Sequence, residues 1–435
     1  MNWSIDLSRK CYNVPGWSDG HFDINQQGHV TVRLETEGKT VEVDLFEVAA
    51  EIQRRGLNWP VLVRCNSILG QRLDRMINAF AQSREKYAYS GNYRAAYPIK
   101  VNQQFSVVNS ILEYGGSRVG LEAGSKSELM AVLGLSKPDG LVICNGHKDR
   151  EYIRLGLIAR KLGQPLYLVI EKLSELDRIV KQVRELDVEP LLGVRVRLAS
   201  ISVGNWQNTG GTKSKFGLHA AQVLQLVERL RTEGLLDRLQ LLHFHLGSQL
   251  ANLHDIRKGI HEAARFYAEL HALGAPINVF DVGGGLGVDY EGTASHGACS
   301  MDYSLEQYAD LVVSEIHNMC VENKLPQPDI VTESGRAMTA HHAVLMTNVI
   351  DTEYAPGKCA PEAILDTVPD SVCRLEQIYQ QLNQDSAAET LTTVLQVFED
   401  VQHAYRQGYI NLGQRALAEQ FYFAILKRVS ALLDP

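Results

Sequence analysis

The chain has 435 residues, 45% of them hydrophobic and 22% charged, an ordinary globular profile with room for two domains or one large one with additions. Lys plus Arg number 43 against 51 Asp plus Glu, and the resulting net charge of −8 argues against nucleic acid or an anionic membrane as the main partner. No basic segment followed by an apolar core opens the chain, no run approaches the roughly 18 apolar residues of a membrane helix, and the seven cysteines are never spaced CxxC. A cytoplasmic protein with reduced thiols is therefore expected.

Residues 1–92 are expected to hold the N-terminal strands of a small β-domain and the lead-in to a barrel. "HFDINQQGHVTVRLETEGKTVEVDL" (21–45) alternates polar and apolar residues, with turns at Gly28 and Gly38, and "RLDRMINAFAQSREK" is helical in texture. Between 93 and 340, eight strand-like runs alternate with helical spacing: "YRAAYPIKV", "SRVGLEAG", "GLVICNG", "QPLYLVIEK", "LLGVRVRL", "LQLLHFHLG", "INVFDVGGG" and "DIVTESGR". Parallel strands need crossover helices. The count favours a (β/α)8 TIM barrel over a doubly wound sheet. Residues 341–367 ("HHAVLMTNVID" onward) read as a strand and linker leaving the barrel, and 368–435 carry the 3.6 period of a helical bundle. The expected fold is thus α/β: a TIM barrel with a partial β-domain and a C-terminal helical insert.

Functional side chains of such a barrel sit at the C-terminal ends of its strands. Those ends offer Lys100, Glu122, Arg197, His245 with Gly247 and Ser248, a glycine run at Gly283, Gly284, Gly285 and Gly287, and Glu333 with Arg336. The glycines do not match G-x-G-x-x-G, and no P-loop pattern occurs. Alone they would read as a tight turn, but the guanidinium at the next strand end turns the reading toward phosphate. Glu122 could equally cap the helix after it. Of His243 and His245 only one is expected to face the mouth; His245 is taken as that one and His243 as a hydrogen-bonded core residue. His341 and His342 read as loop or strand surface. An amine, a phosphate cradle and a carboxylate at one mouth suggest pyridoxal phosphate, which needs a lysine for its Schiff base and a carboxylate near its ring nitrogen.

"AYPIKVNQ", "GLEAGSKSEL", "NGHKD", "GTKSKFGL", "HFHLGSQ", "DVGGGLGVDYEGT" and "ESGR", in this order, resemble the fold type III (alanine-racemase-like) pyridoxal-phosphate decarboxylases, and within them the biosynthetic arginine decarboxylases of bacteria and plants. The resemblance implies decarboxylation of L-arginine to agmatine, in putrescine and spermidine synthesis. It makes Lys100 the covalent attachment point, with His245 stacking on the pyridine ring and Glu333 pairing with its nitrogen. Ser248, Gly283, Gly284, Gly285 and Arg336 would bind the phosphate, and Glu122 and Arg197 would line the cofactor pocket. The segment Asp281, Val282, Gly283, Gly284, Gly285, Leu286, Gly287, Val288, Asp289 and Tyr290 would run along the cofactor and substrate side. Magnesium and a dimer-based homo-oligomer also come with the family, although no cluster in the sequence marks a magnesium site. Family members continue into further strands with a Cys-Asp motif that crosses the dimer interface. No cysteine here precedes an Asp, so the chain is expected to lack those strands. Two other readings are a cofactor-binding homologue with weak or no turnover and a regulatory role, and a metal-dependent hydrolase barrel using H-x-H.

Overall fold

The computed structural model describes residues 3–36, 38–199, 215–353, 369–384 and 387–433. Part of the "GTKSKFGL" motif and most of the 341–367 linker lie outside them. The chain divides into two compact units, Met1–Thr347 and Asn348–Pro435.

In the first unit, β1 (Phe22–Ile24), β2 (Val30–Thr36) and β3 (Lys39–Asp44) form an antiparallel meander. Its turns pass through Gly28 and Gly38, both at positive φ, where a side chain would be strained. β4 (Val61–Arg64) precedes the long helix Asn66–Lys86. Then come β5 (Tyr93–Pro98), β6 (Val119–Ala123), β7 (Val142–Cys144), β8 (Leu166–Ile170), β9 (Leu191–Arg195), β10 (Leu239–His243), β11 (Val279–Asp281) and β12 (Asp329–Thr332). These eight are parallel to their neighbours, and β12 closes on β5 with Thr332 opposite Ala95, so the sheet is a barrel. β13 (Ala343–Met346) leaves the barrel and pairs antiparallel with β4.

Why the chain does this is visible along each strand. The barrel strands are buried on both faces, so they are apolar throughout, and successive residues alternate between two cores. Ala96, Ile143, Tyr167, Val169, Leu241, Val279 and Val331 pack together inside the barrel. Ala95, Tyr97, Leu121, Val142, Leu168 and Leu242 face the outer helices. The helices start on side-chain caps that satisfy their first N–H groups: Ser125 for Lys126–Leu135, Asp149 for Arg150–Lys161, Asn252 for Leu253–Ala272, and a Ser304/Gln307 capping box for Leu305–Asn323.

In the second unit, helices Asp370–Gln381, Ala387–Arg406 and Leu412–Leu433 share a core of their own, with Val372, Leu375, Val394, Val401, Phe421 and Ile425 buried at helical spacing.

Candidate active site

The inward-facing residues of the barrel are apolar until the C-terminal rim, and there they turn polar in one layer. Following the same parity past Ala96, Gly120, Ile143, Val169, Gly193, Leu241, Val279 and Val331 leads to Lys100, Glu122, Asn145, Glu171, Arg195, His243, Asp281 and Glu333. Lys100, Glu122, Asn145, Arg195, His243 and Glu333 line one cavity of 330 Å³. A second cavity of 420 Å³ adjoins it, sharing Lys100, His245 and Glu333 and reaching out to Ser248, Gly284, Gly285, Tyr290 and Arg336.

Lys100 stands in a single turn just after β5, its Nζ 3.1 Å from Glu122 Oε2. Burial works to lower the pKa of this amine, but the charges of Glu122 and Glu333 outweigh it and raise the value. Glu122 is fully buried. Burial first, and then the charge of Glu333, push its carboxyl up to about 7. It does not cap the following helix, a role that Ser125 fills.

Asn145 Nδ2 donates to Glu122 Oε1 (3.1 Å) and to Glu333 Oε1 (2.6 Å). His243 Nε2 lies 3.5 Å from the same Glu333 oxygen. Burial alone would raise the Glu333 carboxyl, yet the positive charge that His243 and Lys100 can carry holds it below its ordinary value. Asp281, also fully buried, is pushed well above its ordinary value by burial and by the charge of Glu333.

The structure brings both histidines to the mouth, which corrects the expectation that only one would reach it. Residues two apart on a strand share a face, so the parity that turns His243 inward does the same for His245. Burial and Arg195 push His245 down to about 3, leaving a neutral ring whose Nδ1 accepts from Gly284 N at 3.2 Å. His341 and His342 are not surface residues either. His341 sits between the guanidinium of Arg72 and the Trp17 carbonyl, and His342 is buried, because this segment packs back on the β4 side of the unit.

At the outer end, Arg336 donates to Ser248 Oγ (3.1 Å) and to the Tyr290 hydroxyl (3.2 Å). Gly283 has φ +66°, and a Cβ there would lie 2.2 Å from the Phe244 carbonyl oxygen, so the backbone approach requires glycine. Of the stretch from Asp281 to Tyr290, Gly284, Gly285, Leu286 and Tyr290 line the outer cavity, whereas Asp281, Val282 and Gly283 are buried beneath it. Leu286, Gly287, Val288 and Asp289 line a separate 190 Å³ cavity behind the loop. Arg197 donates to the Gly217 carbonyl, while the cavity-lining arginine is Arg195, held 3.0 Å from the buried Glu171 and over the Phe216 ring. Arg195, Glu171 and Asn145 were not singled out from the sequence. The signal that finds them is inward parity one step beyond the last apolar residue.

These residues suit pyridoxal phosphate. An amine stands at the rim, an ionised carboxylate and a neutral imidazole share its cavity, and a guanidinium, a hydroxyl and glycine backbone form the opposite end. His243 Nδ1 is buried with no partner among the described residues, as a site that receives a polar ring would leave it.

The model of the pyridoxal-dependent decarboxylase pyridoxal binding domain matches residues 73–340, and that of the arginine decarboxylase helical bundle domain matches 366–435. The biosynthetic arginine decarboxylase of Alkalilimnicola ehrlichii is 51% identical over 434 residues, covering 100% of this chain and 69% of that protein. That of Xanthomonas campestris pv. campestris is 49% identical over 440 residues, covering 100% and 68%. Among solved structures, the biosynthetic arginine decarboxylase of Campylobacter jejuni superposes with a TM-score of 0.73 at 30% identity, covering 97% of this chain and 69% of that one. The diaminopimelate decarboxylase of Helicobacter pylori, at 22% identity and a TM-score of 0.55 over 68% of each chain, shares the fold. With its barrel, its rim of polar side chains and these relatives in agreement, the chain belongs to the pyridoxal-dependent decarboxylases, in the family of the biosynthetic arginine decarboxylases.

Proposed function

We propose that the chain decarboxylates L-arginine to agmatine and CO2 with pyridoxal phosphate, at the step that feeds putrescine and spermidine synthesis. The observation that carries this reading is the Lys100–Glu122–Asn145–Glu333 row at the barrel mouth, in a chain half identical to named arginine decarboxylases.

Lys100 would attach the cofactor, with Glu122 and Arg195 beside it. Ser248, the backbone from Gly283 to Gly285 and Arg336 would hold its phosphate, His245 would lie on its ring and Glu333 would face its ring nitrogen. When bound, the cofactor supplies an electron sink for the pair left on Cα as CO2 departs. The protein's own part is proton placement. A lysine must lose a proton to act as a nucleophile, and Glu122, 3.1 Å from Lys100 Nζ, is the counter-charge that sets how readily that proton leaves. Glu333, held ionised, keeps a negative charge where a protonated ring nitrogen would need it. His245, neutral near pH 7, packs as a flat uncharged plane. Arg336 and Ser248 give a charged and a neutral donor to a dianionic group.

The family resemblance also supports a dimer-based homo-oligomer in the cytoplasm, with a small-molecule substrate and no nucleic acid or membrane partner. No helix among the described residues is long and apolar enough to cross a membrane. For magnesium the clusters among the described residues do not fit. Among the described residues, two groups could bring three ligand atoms together, Asp19/His21/His341 and His243/Asp281/Glu333. Both rely on imidazole, where Mg2+ wants oxygen ligands, and Asp19 is already engaged by Arg72 and Arg75.

The test is covalent. Pyridoxal phosphate is added, the adduct is reduced with borohydride, and the labelled peptide is mapped. Label on Lys100, absent from Lys100→Ala, is expected; label elsewhere overturns the assignment.

A further inference from the structure

The "NGHKD" stretch carries a side chain to which the proposed chemistry gives no task, Asn145. Two carboxylates, Glu122 and Glu333, are buried in one cavity, and this amide bridges them. Its nitrogen lies 3.1 Å from Glu122 Oε1 and 2.6 Å from Glu333 Oε1, so both N–H bonds are used, one for each acid. The opposite amide orientation would set its oxygen 2.6 Å from an oxygen of the ionised Glu333, so the hydrogen-bond network assigns the nitrogen to that end. The amide oxygen, in turn, is buried without a partner among the described residues. The backbone is pinned as well. Asn145 N donates to the Ala123 carbonyl (2.9 Å), its own carbonyl accepts from the Tyr152 hydroxyl (3.2 Å), and Gly146 at φ +72° runs against the Gly124 carbonyl.

We propose that Asn145 is a positioning residue that holds Glu122 as an ionised acceptor for Lys100, and thereby sets the pH at which Lys100 becomes free to take up the cofactor. This inference rests on the reading of Lys100 as the attachment point. Two buried carboxylates side by side cannot both ionise without donors. Asn145 supplies one donor to each, and the second Glu122 oxygen is left to Lys100. Other titratable groups face the same pair or line its cavity from neighbouring elements: Arg195, His243, His245, Glu128, His147, Asp281 and, behind Arg195, Glu171. Among the described residues, Asn145 is bonded to both acids at once. Without it Glu122 keeps its proton to higher pH, Lys100 loses its counter-charge, and its ammonium gives up a proton at lower pH.

The experiment follows pyridoxal phosphate uptake by the cofactor-free protein as the rise of visible absorbance between pH 6 and 10, for the parent, Asn145→Leu (similar volume, no donor) and Asn145→Ser (one donor). Leu is expected to move the half-maximal pH of uptake down by about one unit, roughly tenfold in the free amine, with Ser in between. At a fixed pH below the midpoints, uptake by Leu should then be the faster even as kcat for arginine falls. A midpoint unchanged in both variants overturns the proposal, whatever happens to kcat, because it leaves Asn145 only a packing role. Should Leu fail to fold, the Ser midpoint decides alone. Lys100→Ala separates the two levels: uptake with the same absorbance in that variant sinks the attachment reading, whereas its loss beside an unmoved Asn145→Leu midpoint sinks only this one.

Discussion

Glu122 sits with no exposed surface between a lysine and an amide, and that setting reverses the usual role of a carboxylate in stability. Its ordinary value of 4.5 is raised to about 7 in the folded chain by burial and by Glu333. Between these values the folded chain keeps a proton that the unfolded chain has released, so stability from this group falls as pH rises through the window. Glu122→Gln removes that dependence. The variant is expected to gain on the parent between pH 5 and pH 8, by on the order of 2 kcal/mol, in cofactor-free thermal unfolding. A difference that is the same at both pH values would contradict the shift. At this scale Lys100, Glu122 and Glu333 were legible because a charged residue that closes an apolar run stands out. Arg195 was not, since Arg197 offers the same parity two residues on and drew the assignment. Asn145 carries no charge, so inward parity marks its place but only the distances to two acids show its role.

The elements of the barrel are legible from period and capping, but what ties their loops together is not. The helix Leu173–Leu186 has Glu175 in its first turn, which in sequence reads as a dipole partner. In the structure this carboxylate is buried. It accepts from Lys148 N (3.1 Å) and from Glu171 N (2.9 Å), and lies 3.6 Å from the buried Lys148 Nζ, which itself donates to the Gly146 carbonyl (2.7 Å). One side chain thus staples the loop after β7, which carries Asn145, to the end of β8, which carries Glu171. Removing one partner of a buried pair leaves an uncompensated charge. Glu175→Gln should therefore cost about 3 kcal/mol in urea unfolding, and cofactor affinity should weaken as the rim loosens. A loss below about 0.5 kcal/mol, the size of an ordinary surface change, would show that the pair is not part of the scaffold.

For the whole molecule, eight strand–helix units could be counted before any coordinates, because each buried parallel strand is an apolar run and each crossover helix has its own period. The closure of the sheet and the inward layer of polar ends follow from that count. The β4–β13 pairing was not legible: its two strands lie on either side of the barrel in sequence, and neither carries a pattern that names the other. The outer part of the site was only partly legible, since the run from Asp281 to Tyr290 divides between a buried floor and the cavity wall. The barrel rim is the claim on which everything else depends. Its most direct test is CO2 release from carboxyl-labelled L-arginine with added pyridoxal phosphate, the parent beside Lys100→Ala. Release by the parent, lowered at least about a thousandfold in the variant as loss of a covalent catalyst requires, is the predicted result. Equal release by the two proteins would contradict the placement of the chemistry at this rim.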